Sequence, residues 1–262
     1  MPFPHTPRAV YRKNPLVEVI CQLRFPAVLA IAAESPYKFQ EKVRQSYPVY
    51  EKVEDALGFP KALATILAQL PMQPPGEPLR HNFLTEDRTR FISLTQEFIS
   101  VTTTAYERWE SLREAMRLAE EAAREVYGPA FYTRVGLRYQ DAIRKEALGL
   151  QNDRWASLIS PHFAGLLAAD AVQDEVRLSQ SITVLQLAEV KGALVHIRHG
   201  LANLPPAKEL AYVIDTDFYT QERCTGEQAF ATLDTFNQLG GDLFRWAITP
   251  RLSTALEPEP VD

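Results

Sequence analysis

At 262 residues, with 46% apolar and 23% charged side chains, the chain has the make-up of a globular protein large enough for one big domain or two of ordinary size. Its net charge of −5 has the wrong sign for a protein that binds nucleic acid by neutralising phosphates, and the excess acid is uneven: residues 1–128 balance 16 basic against 16 acidic side chains, residues 129–262 carry 12 against 17. Cys21 and Cys224 are too few for a disulfide framework, no apolar run approaches the ~20 residues that cross a bilayer, and the opening MPFPHTPRAVYRKNP lacks a signal-peptide core, which together point to a cytoplasmic protein.

The first element is a strand over residues 14–25. Val17, Val19, Cys21, Leu23 and Phe25 alternate onto one face, with Cys21 a buried reduced thiol, and Glu18, Gln22 and Arg24 fall on the other. Ser35-Pro36 opens a helix with Ser as N-cap and Pro at the first helical position, and Pro48 ends it. Residues 61–70 read as a short helix and 71–78, with four prolines and a glycine, as an extended loop. Strands resume over 80–106, with a hairpin turn at Thr85-Glu86-Asp87. The clearest helix runs from Glu107 to Tyr127. Trp109, Leu112, Met116, Ala119, Ala123 and Val126 form its apolar stripe, its outer face pairs Glu110 with Arg113, Glu114 with Arg117 and Glu120 with Arg124, and Gly128-Pro129 stops it.

The pattern then starts again. Residues 132–143 predict a strand with Val135, Leu137 and Tyr139 on one face and Arg134, Arg138 and Gln140 on the other. A helix over 153–169, three strands near 175–189, 191–200 and 209–219, and a closing helix from Thr225 follow. Thr225 and Gln228 have capping-box spacing, and Gly240-Gly241 is expected to kink or split that helix. Phe98 matches Phe218 at an offset of 120, Trp109 matches Phe230 at 121, and Ser35-Pro36 matches Ser160-Pro161 at 125. The fold expected is therefore α+β: internally duplicated β-α-βββ-α units, 1–128 and 129–256, with antiparallel sheets and long helices on one face, like a saddle or helix grip, and a disordered acidic tail at 257–262.

In such a layer Glu18, Gln22, Arg24, Arg134, Arg138 and Gln140 share a concave sheet face. The arginines suit a phosphate, a carboxylate or an acidic partner segment, or else an Arg–Glu network tying the repeats together. Tyr132 could stack on a base, whereas Tyr139 falls on the core side. His196, His199, Asp215 and Asp217 are the nearest approach to metal-ligand spacing, but alternation sends the two histidines to opposite faces. There is no phosphate-binding Gly-rich loop, nucleophile elbow, Cys-x-x-Cys pair or His-Glu-x-x-His.

The opening Tyr11, Asn14-Pro15-Leu16, Glu18-Val19 and Arg24-Phe25-Pro26, with the mid-chain Arg134-x-Gly136-Leu137-Arg138-Tyr139, resemble a sporadically distributed family of uncharacterised bacterial proteins of about this length. The resemblance covers nearly the whole chain and implies no activity; its patchy distribution implies an accessory or defence-related setting. The family continues the mid-chain Arg-Tyr pair with Asn and Arg, where this chain has Gln140-Asp141. These readings predict a non-enzymatic binding protein without catalytic residues, cofactor or metal, whose partner is a protein or peptide and which has no membrane contact. A nucleic-acid-binding module is the second reading, and a small-ligand binder or enzyme using a pocket between sheet and helix is the third.

Overall fold

The computed structural model describes residues 2–53, 80–204 and 209–260; the helix expected over 61–70 and the loop over 71–78 lie outside them. The fold is mixed α and β with antiparallel sheets. It divides into two compact units, one made of residues 18–138 and 219–234, the other of 1–17, 139–218 and 235–262.

In the first unit the strands lie in the order β3-β4-β5-β6-β2: β2 is Leu16–Arg24, β3 Val49–Val53, β4 Arg80–Leu84, β5 Arg90–Leu94 and β6 Phe98–Thr103. Every pairing among them is antiparallel; β4–β5 and β5–β6 are joined by short hairpins, while β2 pairs with β6 from far away in the sequence. Alternation puts Val19, Cys21 and Leu23 opposite Thr103, Val101 and Ile99. Ile92, Leu94 and Phe83 continue the same face, and all these apolar side chains are buried. Burial pushes the Cys21 thiol far up, so it stays protonated and inert.

This face is covered by two helices, α2 (Tyr37–Val43) and α3 (Trp109–Tyr127); a four-residue turn of helix, α1 (Ala30–Ala33), precedes them. Of the expected α3 stripe, Trp109, Leu112, Met116, Ala119 and Ala123 are buried and Val126 is half-buried. Phe39 of α2 lies 5.0 Å from the Phe83 ring and 6.5 Å from Tyr127. Removing each such side chain from water contributes roughly 1.5–3 kcal/mol. Gly128 ends α3 in the left-handed region, φ 57°, where a residue without Cβ is not strained. The outer face is paired only in part as expected, and the Arg117 guanidinium lies over the Phe230 ring at 4.6 Å. Arg124 does meet Glu120, at 3.5 Å, but Arg113 turns to Asp234 with two bonds of 2.7 and 3.0 Å.

The second unit holds strands in the order β10-β9-β8: β8 Ser179–Leu187, β9 Ala193–Leu204 and β10 Glu209–Thr220. Strand β7, Arg134–Ile143, and the closing helix α6, Gly226–Ala247, each begin in the first unit and end in the second. The helix expected over 153–169 is instead three single turns: α4 (Trp155–Leu158), α5 (Pro161–Ala164) and a 3-10 turn (Gly165–Ala168). Ile159 and Ser160 are extended, Pro161 has no N–H to continue a ladder, and Gly165 has φ 53°.

Helix α6 runs unbroken through Gly240-Gly241, so these glycines do not split it. Gly240 instead makes room for a ring, since a Cβ there would meet Cε2 of Tyr139 at 2.8 Å. The capping box is half realised: Gln228 Oε1 accepts from the Thr225 amide at 2.9 Å. A last helix, α7 (Pro250–Ala255), leads to the tail.

That tail is not disordered over residues 258–260. β11 (Pro258–Pro260) pairs with β1 (Ala9–Tyr11), Tyr11 opposite Pro258. Arg12 and Lys13 hold it through Glu259 and Glu257, at 2.5 and 2.9 Å. Acidic side chains that would repel one another in isolation are here neutralised by a basic N-terminal strand.

Candidate binding face

The first unit presents its second sheet face as three parallel rows fixed by register. The middle row runs Gln22, Ser100, Ser93, Asn82, Glu51, each residue directly opposite the next across β2, β6, β5, β4 and β3. Cross-strand neighbours on one face stand about 4.5–5.5 Å apart at Cβ, so the row is a continuous strip of amide and hydroxyl groups. Ser93 Oγ donates to Asn82 Oδ1 at 2.7 Å. Ser93, Ser100 and Asn82 are buried while Gln22 is half-buried.

On one side of this strip Ile20, Thr102, Phe91, Leu84 and Val49 form a mostly apolar row. On the other side Arg24 stands opposite Phe98, and the Arg80 guanidinium lies over the Phe98 ring at 5.9 Å. Burial lowers the Arg80 pKa from its ordinary value, yet a guanidinium remains charged at neutral pH.

Arg134, at the start of β7, completes the strip. Its Nη1 donates to Gln22 Oε1 at 3.0 Å, and its guanidinium lies 4.8 Å from the Tyr219 ring. With that oxygen occupied, the Gln22 amide nitrogen keeps two donor hydrogens for the strip. Gly136 makes the posture possible, because a Cβ there would fall 2.2 Å from Arg134 Nη1. The spacing Arg-x-Gly-x-Arg thus has a local meaning: the glycine leaves a bed for the side chain two residues before it.

The six residues expected on a single concave face divide differently. Gln22 and Arg134 are joined directly. Arg24 is exposed and bound to Glu97 at 2.7 Å, and Arg138 is half-buried with the parity of Arg134. Glu18 has the parity of Ile20 and Gln22 and so lies on the same face, but at 2% exposure it is as buried as Ser93 and Ser100 and is not part of a solvated surface. Gln140 is buried as well and lies in the second unit. Asn82, Ser93, Ser100, Arg80 and Phe98 escaped the sequence reading. Their parity was legible in β4 to β6, but only the register places them in one line with Gln22.

The other candidates resolve into structural roles. Tyr132 cannot stack on a base, since it is buried and its hydroxyl donates to Glu120 Oε1 at 2.7 Å. The Tyr139 hydroxyl donates to Asn237 at 2.9 Å. Asp215 accepts from Arg198 at 3.2 Å. His196 and His199 stand opposite Val184 and Ser181, an odd spacing that sends them to opposite faces. Tyr212 gives its only proton to the Phe163 carbonyl at 2.8 Å, so His199 Nδ1, 2.8 Å from that hydroxyl, is the donor to it. Burial, and then His162, lower the His199 pKa to about 4, leaving the ring neutral. Among the described residues no three His, Cys, Asp or Glu side chains converge as a metal site. None of the described helices is long and apolar enough to cross a membrane.

No family model matches the chain, and no curated protein matches it.

Proposed function

We propose that the protein is a non-enzymatic binding protein that takes an extended segment of a protein partner across the three-row face. The observation that carries this reading is the register-aligned strip Gln22–Ser100–Ser93–Asn82 with Arg134 docked onto its end. The buried Ser100, Ser93 and Asn82 form the floor of this face, and the half-buried Gln22, Arg80, Phe91 and Phe98 are the groups on it that a peptide would meet. Flanking Phe and Arg side chains are the residue types that anchor interfaces. Arg80 and Arg134 favour a segment with a carboxylate or phosphate near one end.

The same reading includes a cytoplasmic location, an origin of the two halves by duplication, and membership of the bacterial family that the opening and mid-chain motifs resemble. The order strand, helices, strands, long helix recurs in β2 to α3 and in β7 to α6, which supports the duplication. A second reading, single-stranded nucleic acid on the same face, draws on Arg80 stacked over Phe98 beside Arg24. The net charge of −5 counts against it.

A peptide library panned against the full chain tests the first reading. An enriched consensus whose binding is lost on Arg134→Glu and on Arg80→Glu supports it; no consensus, or one indifferent to both changes, removes it. Fluorescence anisotropy with labelled single-stranded DNA and RNA at two salt concentrations tests the second, which requires binding that weakens steeply with salt.

A further inference from the structure

Strand β8, SQSITVLQL, stands at the end of its strand order and, among the described residues, is paired on one side only, with β9 over nine register positions. A long edge strand offers a row of backbone donors and acceptors to any extended chain, and proteins normally guard such edges with charge, proline or shortness. β3, at the end of the order in the other unit, is guarded in this way: five residues long, with Glu51 and Lys52 among them and Glu51 bound to Arg88. β8 has none of these devices. It contains no charged residue and no proline, and Ile182 and Val184 are 56% and 48% exposed.

We propose that β8 is a dimerisation edge that pairs antiparallel with β8 of a second copy of this chain, centred on Thr183. This inference is independent of the three-row face. A two-fold antiparallel pairing must be self-complementary, residue i meeting j while j meets i. Centred on Thr183, the pairing sets Ile182 against Val184 and Gln180 against Gln186, with Thr183 against itself. These are an aliphatic pair, an amide pair and a hydroxyl pair, and the remaining positions set Ser181 against Leu185 and Ser179 against Leu187. Beyond the strand the chain bends at 177 and at 188–190, and a pairing in this register leaves Arg177 of one copy and Glu189 of the other, opposite in sign, near the same end. A chain with a net charge of −5 is repelled by itself at long range, so local matching of sign at both ends of the edge favours this register over its neighbours. A different protein strand would find the same backbone groups, but nothing in β8 selects for it, whereas the matched pairs select for a copy.

Sedimentation velocity of the full chain over a concentration series tests this. The expected result is a reversible shift from 29.6 kDa to twice that mass. Thr183 is exposed, so Thr183→Lys and Thr183→Glu leave the fold intact, which circular dichroism checks. Each variant alone puts like charges face to face and is expected to remain monomeric. Mixed in equal amounts they are expected to recover the dimer, because only at the centre of a two-fold does each residue meet its own counterpart. A wild-type chain that stays monomeric to its highest soluble concentration overturns the proposal. So does a dimer that neither single variant weakens, which would place the contact on another surface.

Discussion

The guanidinium of Arg134 rests on the bare backbone of Gly136, at a spacing that no other residue type allows. The backbone of Gly136 lies outside the left-handed region, so alanine is acceptable there in every respect except the collision with Arg134 Nη1. The group that must move is the far end of a flexible side chain. Gly136→Ala is therefore expected to cost only about 1 kcal/mol, a Tm change of about 2–4 °C, while displacing Arg134 from Gln22. Arginine side-chain NMR reads the displacement. An unchanged Arg134 Nε resonance would show that the glycine is not what seats it.

Trp109 begins α3 with its ring 5% exposed and its Nε1 donating to Asp234 Oδ1 at 2.8 Å. Trp109→Ala removes a large buried ring and is expected to cost about 3–5 kcal/mol by urea denaturation. Trp109→Phe keeps most of the ring and loses the N–H. Because Asp234 is partly exposed and also held by Arg113, water takes over the lost bond, and a cost of about 1 kcal/mol is expected. Equal losses in the two variants would contradict a packing role.

What the sequence disclosed and what it withheld follow from the range of the interactions. The parity of β2 is set within the strand, and Val19, Cys21 and Leu23 are buried as alternation requires. The stripe of α3 is equally local. The polar strip is not, because Ser93 reaches Ser100 through the β5–β6 hairpin and Ser100 reaches Gln22 only through a pairing of strands far apart in the sequence. At the β4–β5 turn, Thr85 and Asp87 hold the chain through a 2.6 Å bond and Arg88 adopts φ 60°, a conformation that composition does not announce. The tail misled for the same reason: Pro258-Glu259-Pro260 looks unstructured until Arg12 arrives from 247 residues away.

Asp141 carries a testable pH dependence. It lies on the core parity of β7, between Tyr139 and Ile143, and burial together with Asp215 pushes its carboxyl well above the usual carboxylate range. A raised acid binds its proton more tightly in the folded state than in the unfolded one. Its contribution to stability is therefore greatest at low pH and is lost as pH rises above the ordinary carboxylate range towards the folded value. His199 works in the opposite sense, since its lowered pKa penalises the folded state as pH falls from 6.5 towards about 4. The two are separated by variants. Asp141→Asn is expected to gain stability over wild type at pH 8 and to gain less at pH 4. A difference that does not change with pH would show that Asp141 titrates normally.

Glu120 is a carboxylate on a helix face that is otherwise apolar, and Tyr132 is what makes it tolerable. Its side chain is 6% exposed; the Tyr132 hydroxyl donates to Oε1 at 2.7 Å, and Arg124 Nε stands 3.5 Å away from the same atom. Gly226, at the start of α6, closes the site, since a Cβ there would lie 3.1 Å from that oxygen. Tyr132→Phe leaves the carboxylate short of its best donor without changing the shape of the ring, and a loss of about 1–3 kcal/mol is expected. Glu120→Gln removes the charge but keeps an acceptor for the hydroxyl, so its cost is expected to be smaller. Combining the two changes should cost less than the sum of the separate losses, because an amide without the hydroxyl is less penalised than a carboxylate without it. Urea denaturation of the four proteins measures the cycle. Strict additivity would mean that the carboxylate is satisfied by solvent or by Arg124, and that the Tyr132 hydroxyl contributes through its other surroundings.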